Sequence, residues 1–256
     1  MANEGKVPRL AVLIDADNAS AKIVGGLFEE IAKIGEASVR RIYGDFSTTR
    51  LKGWEEVLAK YAIIPQQQFA YIPGKNASDI TLVIDAMDLL HTGRFDGFCL
   101  VSSDSDFTRL AARIREEGAD VYGFGELKTP ESFRQACRRF IYTENLVPVR
   151  PADPGTTQTA RVLAAPQNAA KLIKRVIGEM DSEQGWVHLG GLGAQLVNLA
   201  PDFDPRTYGF TKLKELVQSL AAFDVKGQSG AVYVRIRPTT VQTREPASSP
   251  LPTPAQ

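Results

Sequence analysis

Short apolar runs, each closed abruptly by acidic or turn-forming residues, recur along the first half of the chain and alternate with longer amphipathic stretches. Residues 10–14 (LAVLI) end in Asp15-Ala16-Asp17-Asn18, residues 38–43 end in Gly44-Asp45, and residues 97–102 (GFCLVS) run into Ser103-Asp104-Ser105-Asp106. Compact apolar runs of this length suit strands buried on both faces. Ile63-Ile64 before Pro65 opens a further short strand, and residues 120–124 give another. Between them, helical spacing predicts helices over 20–34, 51–61, 80–90 and 107–117. Strand and helix in alternation predict βαβ units, an α/β fold and a Rossmann-like parallel sheet. Such crossovers are right-handed, and ligands bind beyond the carboxyl ends of the strands, where the polar clusters fall.

The character changes over residues 148–166, where Pro, Gly, Thr, Gln and Ala dominate and hydrophobic periodicity stops. That stretch reads as a flexible linker between a domain of residues 1–147 and a second of residues 167–238. The second region has helix patterns at 169–180, 189–199 and 207–220, then strand patterns at 223–226 and 231–236. Three helices closed by a β-hairpin form a winged-helix (α+β) layout. Residues 239–256, rich in Pro, Ser and Thr, read as a disordered tail.

The 256 residues carry a formal net charge of zero, so any attraction to nucleic acid has to come from a local patch. Cys99 and Cys137 form no CxxC pair, and His91 and His188 lie in unrelated contexts, which argues against a zinc site. With no disulfide framework, no apolar signal core and no run long enough to span a bilayer, the expectation is a cytoplasmic protein without a membrane partner.

Four carboxylates stand where a parallel sheet presents residues to solvent. Asp15 follows the first strand, Asp104 and Asp106 follow the strand at 97–102, and Asp79 opens the helix before it. In a sheet ordered 3-2-1-4-5, the first and fourth strands are neighbours, so Asp15 and Asp104 converge. Carboxylates held together repel unless a cation neutralises them, and oxygen donors without His or Cys select Mg²⁺ or Mn²⁺. Such an ion activates water and clamps phosphodiester oxygens. Helix capping is the competing explanation for each acid singly, and it accounts poorly for acids after two adjacent strands.

Other residues carry two readings each. Asp17 either orients a ligand or caps the helix at Ser20, and Asn18 either orients water or stabilises the turn. Lys75 is a phosphate contact or a solvated loop lysine. Ser78, Thr81, Asp85 and Asp88 share a helix face, so Asp85 has a secondary role or faces solvent. Ser102, Ser103 and Ser105 donate to phosphate or satisfy a tight loop. In the second region, Lys212, Lys214, Arg206, Arg235 and Arg237 form a phosphate-facing patch, interrupted by Asp202, Asp204 and Glu215, or an ordinary charged surface.

These blocks resemble the NYN-domain family, the LabA-like branch of PIN-type nucleases. The resemblance rests on Ile14-Asp15-Ala16-Asp17-Asn18, on Gly74-Lys75-Asn76-Ala77-Ser78-Asp79-Ile80, and on Ser102-Ser103-Asp104-Ser105-Asp106-Phe107, and spans residues 10–142. It implies a PIN-like fold and metal-dependent ribonuclease chemistry. Asp15, Asp79 and Asp104 match the family's metal-binding acids, Asp106 is the second acid of its block, and an acid often stands near Asp85. Residues 168–237, through Tyr208-Gly209-Phe210 and the helix after it, resemble the OST-HTH/LOTUS family. That resemblance implies RNA binding or docking of a protein partner. The expected function is an endoribonuclease, with a non-catalytic RNA-binding adaptor as the alternative. An aspartyl nucleophile of the haloacid-dehalogenase type is disfavoured, because Asn18 and Ala19 depart from that motif.

Overall fold

The computed structural model describes residues 6–68, 77–147, 164–182, 184–228 and 230–238. The first part runs β1 (Arg9–Asp15), α1 (Val24–Ala32), β2 (Glu36–Gly44), α2 (Lys52–Leu58), β3 (Ile64–Gln67) and α3 (Ala77–His91). It continues through β4 (Gly97–Val101), α4 (Thr108–Glu116), β5 (Asp120–Gly125), α5 (Glu131–Ala136) and β6 (Arg139–Tyr142). Six strands form one sheet in the order β3-β2-β1-β4-β5-β6, and every pairing is parallel.

The central position of β1 explains why its sequence is apolar throughout. Leu10, Val12 and Ile14 pack with Leu27 and Ile31 of α1 and Trp54 of α2. Ala11 and Leu13, alternating to the other face, pack with Leu82 and Ala86 of α3 and Leu110 and Ile114 of α4. Cutting the fully buried Leu13 to alanine is worth about 2–5 kcal/mol at such a site. Because β1 and β4 pair through Ile14↔Val101, Asp15 and Ser102 leave the sheet side by side.

Two elements escape the sequence patterns. The strand β6 is four residues long and the helix α5 six, each too short to display a period.

The second part comprises α6 (Pro166–Glu179), β7 (Val187–His188), α7 (Leu189–Leu199), α8 (Leu213–Ser219), β8 (Phe223–Gln228) and β9 (Ala231–Ile236). Its strands form an antiparallel sheet ordered β7-β9-β8. Ile173, Val176, Leu192, Leu196, Leu216 and Val234 make its core. The helix expected over 207–220 is broken in two. A 3-10 turn at Pro205–Tyr208 ends on Gly209 at φ 85°, and α8 starts only at Leu213. A left-handed residue turns the chain out of the helix, and glycine adopts it without a Cβ clash.

The two parts touch. The Phe140 amide of β6 donates to the Pro201 carbonyl at 2.8 Å. Asp202 accepts from the Tyr142 hydroxyl at 2.6 Å and pairs with Arg134. Arg206 meets Glu30 of α1 at 2.9 Å, and Asn145 donates to Thr207 at 3.0 Å. Among the described residues, no helix is long and apolar enough to cross a membrane. The linker read at 148–166 and the tail at 239–256 fall largely or wholly outside the described residues.

Candidate active site

The site is built at the carboxyl ends of β1 and β4 and the first turn of α3. Asp15, the last residue of β1, is buried at 1% exposure and held from several directions. Its Oδ1 accepts the amides of Asp17 at 3.1 Å and Asn18 at 3.3 Å. Its Oδ2 accepts the Asn18 side-chain amide at 2.9 Å and the Ser102 hydroxyl at 2.7 Å. Burial raises its pKa, against the pull of those donors.

Ser102 is the pivot of the arrangement. While its hydroxyl donates to Asp15, its oxygen accepts the Asp104 amide at 3.1 Å. A side chain at Gly125 would meet the Ser102 carbonyl at 2.6 Å, so glycine lets β5 lie close behind this turn. Ser103 accepts the Glu126 amide at 2.9 Å and thereby fastens the turn to the end of β5. Asp104 accepts the Asp106 amide at 2.9 Å and caps the 3-10 turn Ser105–Phe107. Asp106 itself is exposed.

Asp79 sits in the first turn of α3 and is part-buried. Its carboxyl is pushed up to about 6, first by burial and then by the charges of Asp15, Asp104, Asp17 and Asp106. Five carboxylates therefore share one electrostatic field. Among the described residues, no three acidic, His or Cys side chains are gathered tightly enough to hold a metal ion as they stand. The donor chemistry, carboxylate oxygen throughout, fits a hard divalent cation; the spacing requires the side chains to close on it.

The surrounding residues resolve several alternatives. Ser20, not Asp17, caps the 3-10 turn that leads into α1. Asp17 instead pairs with Arg50 at 2.8 Å and accepts from Ser78 at 3.4 Å, tying the first turn to the start of α3. Asn18 clamps Asp15 through both backbone and side chain. Asp85 does not face open solvent: Arg41 and Tyr43 of β2 both bond to its carboxylate and hold α3 to the sheet. Lys75 lies outside the described residues. In the second part, Lys212 and Lys214 are exposed at the start of α8. Arg206 is engaged with Asp204 at 2.6 Å and Glu30 at 2.9 Å, so of these three residues the two lysines are the ones open to a partner.

Sequence reasoning did not single out Arg41, Tyr43 or Arg50. The role of Ser102 was accessible through strand pairing, which sets it beside Asp15. The Arg50 and Arg41 pairings have no local signal, since they depend on how α2 and α3 dock.

The NYN domain model matches residues 9–144, and the OST-HTH/LOTUS domain model matches residues 165–235. A crystal structure of a protein of unknown function from Vibrio parahaemolyticus is similar at 17% identity and a TM-score of 0.44, covering 54% of this chain and 94% of that one. A solution NMR structure of an uncharacterized protein from Nitrosomonas europaea shares 25% identity at a TM-score of 0.26, covering 36% of this chain and 90% of that one. No curated protein matches. The NYN match takes in more than half of the chain and all the gathered acids, and the chain belongs to the NYN-domain family, with an OST-HTH/LOTUS domain following.

Proposed function

We propose that the chain is a metal-dependent endoribonuclease whose C-terminal domain holds RNA. One observation carries this reading: Ser102 ties Asp15 to the turn that bears Asp104, and Asp79, its carboxyl raised first by burial, also feels the charges of both. NYN domains belong to the PIN-like nuclease superfamily, and OST-HTH/LOTUS domains are associated with RNA, which supports the same conclusion.

Asp15, Asp79, Asp104 and Asp106 are the residues that hold Mg²⁺ or Mn²⁺ in this reading. The ion supplies charge neutralisation and Lewis acidity at a phosphodiester. The chain's own residues do the positioning. Asn18 and Ser102 fix the Asp15 carboxylate, and Ser102 also fixes the turn that carries Asp104. Ser103 braces that turn from β5. Asp17 links the β1 turn to α3, and Asp85 anchors α3 so that Asp79 stays in the cluster. Lys75 is assigned a phosphate contact as a point charge. Lys212 and Lys214, with Arg206 in a supporting ion-pair role, are assigned to RNA. The two thiols are buried, and burial pushes their pKa values up, so neither is placed to act as a nucleophile.

The decisive experiment incubates the pure protein with labelled single-stranded RNA and Mn²⁺, beside Asp15→Asn and Asp104→Asn. Products from the wild type and none from either variant support the reading. Undiminished cleavage by both variants removes this site.

A non-catalytic RNA-binding adaptor is the second reading. It draws on Asp15, whose two oxygens already accept four hydrogen bonds, and on Asp104, which already caps a turn. RNA binding without products under any divalent ion would favour it.

A further inference from the structure

The C-terminal sheet has one face in the core and one turned away. Val187, Phe223 and Val234 are buried, and Val225 packs against the same core. Side chains alternate along a strand, so the residues between them point to the other face. Register sets His188 of β7 and Lys226 of β8 on either side of Tyr233 of β9, with Asp224 opposite Arg235.

This outer face is aromatic and basic in alternation. The Lys226 ammonium lies 4.3 Å from the Trp186 ring centre and 5.8 Å from that of Tyr233. The Arg235 guanidinium lies 4.6 Å from the Trp186 ring centre. His188 is exposed and meets Tyr233 edge-on at 5.6 Å. Its Nδ1 accepts the Gly190 amide at 3.2 Å, which fixes the ring. One acid, Asp224, serves both Arg235 and Arg237. Lys226 has no carboxylate partner among the described residues. The face therefore carries excess positive charge on a bed of rings.

We infer that this face, led by Trp186 and Tyr233, is a stacking platform for the unpaired bases of single-stranded RNA, with Lys226 and Arg235 meeting the phosphates. The inference rests on the RNA-binding reading above and moves its principal contacts from the start of α8 to the sheet. Rings offer every base a flat apolar surface, whereas paired bases in a duplex are already stacked and keep their faces hidden. Lys226 and Arg235 lie over the Trp186 ring, so a base reaches that ring face as the two cations swing out to the phosphates. Protein interfaces are also rich in Trp, Tyr and Arg but depleted of Lys, so Lys226 on this face favours nucleic acid over a protein partner.

The test is fluorescence anisotropy of the full chain, in EDTA, with labelled single-stranded RNA of about 16 nucleotides and with the same strand annealed to its complement. Trp186→Ala and Tyr233→Ala should each weaken single-strand binding by about tenfold. Trp186→Phe, which keeps a ring and guards against misfolding of the alanine variant, should stay within about threefold of wild type. Lys226→Ala should lower the salt dependence by about one phosphate contact. The duplex should bind more weakly than the single strand. Wild-type affinity in folded Trp186→Ala and Tyr233→Ala, with loss confined to Lys212→Ala and Lys214→Ala, overturns the platform and leaves RNA binding standing. Unchanged RNA affinity accompanied by loss of self-association marks a protein-docking face and also overturns it. Failure of the wild type to bind any RNA overturns both readings.

Discussion

Ser102 donates a 2.7 Å hydrogen bond to Asp15 across 87 positions of sequence, joining the ends of β1 and β4. The same oxygen accepts the Asp104 amide, so one hydroxyl orients two of the acids. Ser102→Ala removes both bonds while leaving the sheet intact. Cleavage is expected to fall by about 10–100-fold, the usual effect of losing a residue that orients a metal ligand. Circular dichroism should match the wild type. Full activity in the alanine variant would show that Asp15 is held well enough without it.

Asp79 gives a prediction in which stability and activity part company. Its carboxyl binds a proton more tightly in the folded protein, at about 6, than in the unfolded chain, at 3.8. Stability from this group is therefore greatest below the unfolded value and declines as pH climbs through 6. Asp79→Asn should stabilise the metal-free protein at pH 8 by about 1 kcal/mol once solvent screening is allowed for. That gain corresponds to roughly 2–4 °C in melting temperature. It should vanish near pH 4, while cleavage is lost throughout. Thermal melts in EDTA at both pH values check this, and equal destabilisation at both would contradict it.

Asp85 anchors α3 through Arg41 and Tyr43, and Tyr43 is fully buried. Asp85→Ala strands a buried hydroxyl and a part-buried guanidinium, at a cost of about 2–4 kcal/mol. Urea titration reads that loss. Tyr43→Phe, which removes one donor from the same carboxylate, should cost about 1 kcal/mol.

Docking of the two domains depends on Glu30, which is 4% exposed and faces Lys33, Arg206 and Arg139. Burial pushes its pKa up, but the bonds and charges of Lys33 and Arg206 outweigh burial and leave it lowered. Its contribution is present above the unfolded value of 4.5 and lost as pH falls through the folded one. Arg206→Ala should cost about 1–3 kcal/mol and loosen the contact between domains. Small-angle scattering should show a larger radius for the variant, and an unchanged radius would mean that the Asp202 contacts suffice.

Much of this architecture is legible in the sequence because burial on two faces leaves an unmistakable mark. The apolar runs of β1 and β4 identify central strands, and their ends deliver Asp15 and Asp104 to the same rim. What escapes is either short or distant. Neither β6 nor the two-residue β7 has enough length for a pattern. The break at Gly209 hides within a helical spacing because a single glycine does not disturb the flanking periodicity. The partners of Asp17 and Asp85, and the Glu30 partner of Arg206, lie on other elements, so their engagement depends on packing angles that sequence spacing does not encode.

Binding of Mn²⁺ to the purified chain, followed by electron paramagnetic resonance of the free ion, tests most directly whether these acids form a cation site. The expected result is saturable binding by the wild type, weakened by about tenfold or more in Asp15→Asn and in Asp104→Asn. Equal Mn²⁺ binding by the wild type and both variants would contradict it.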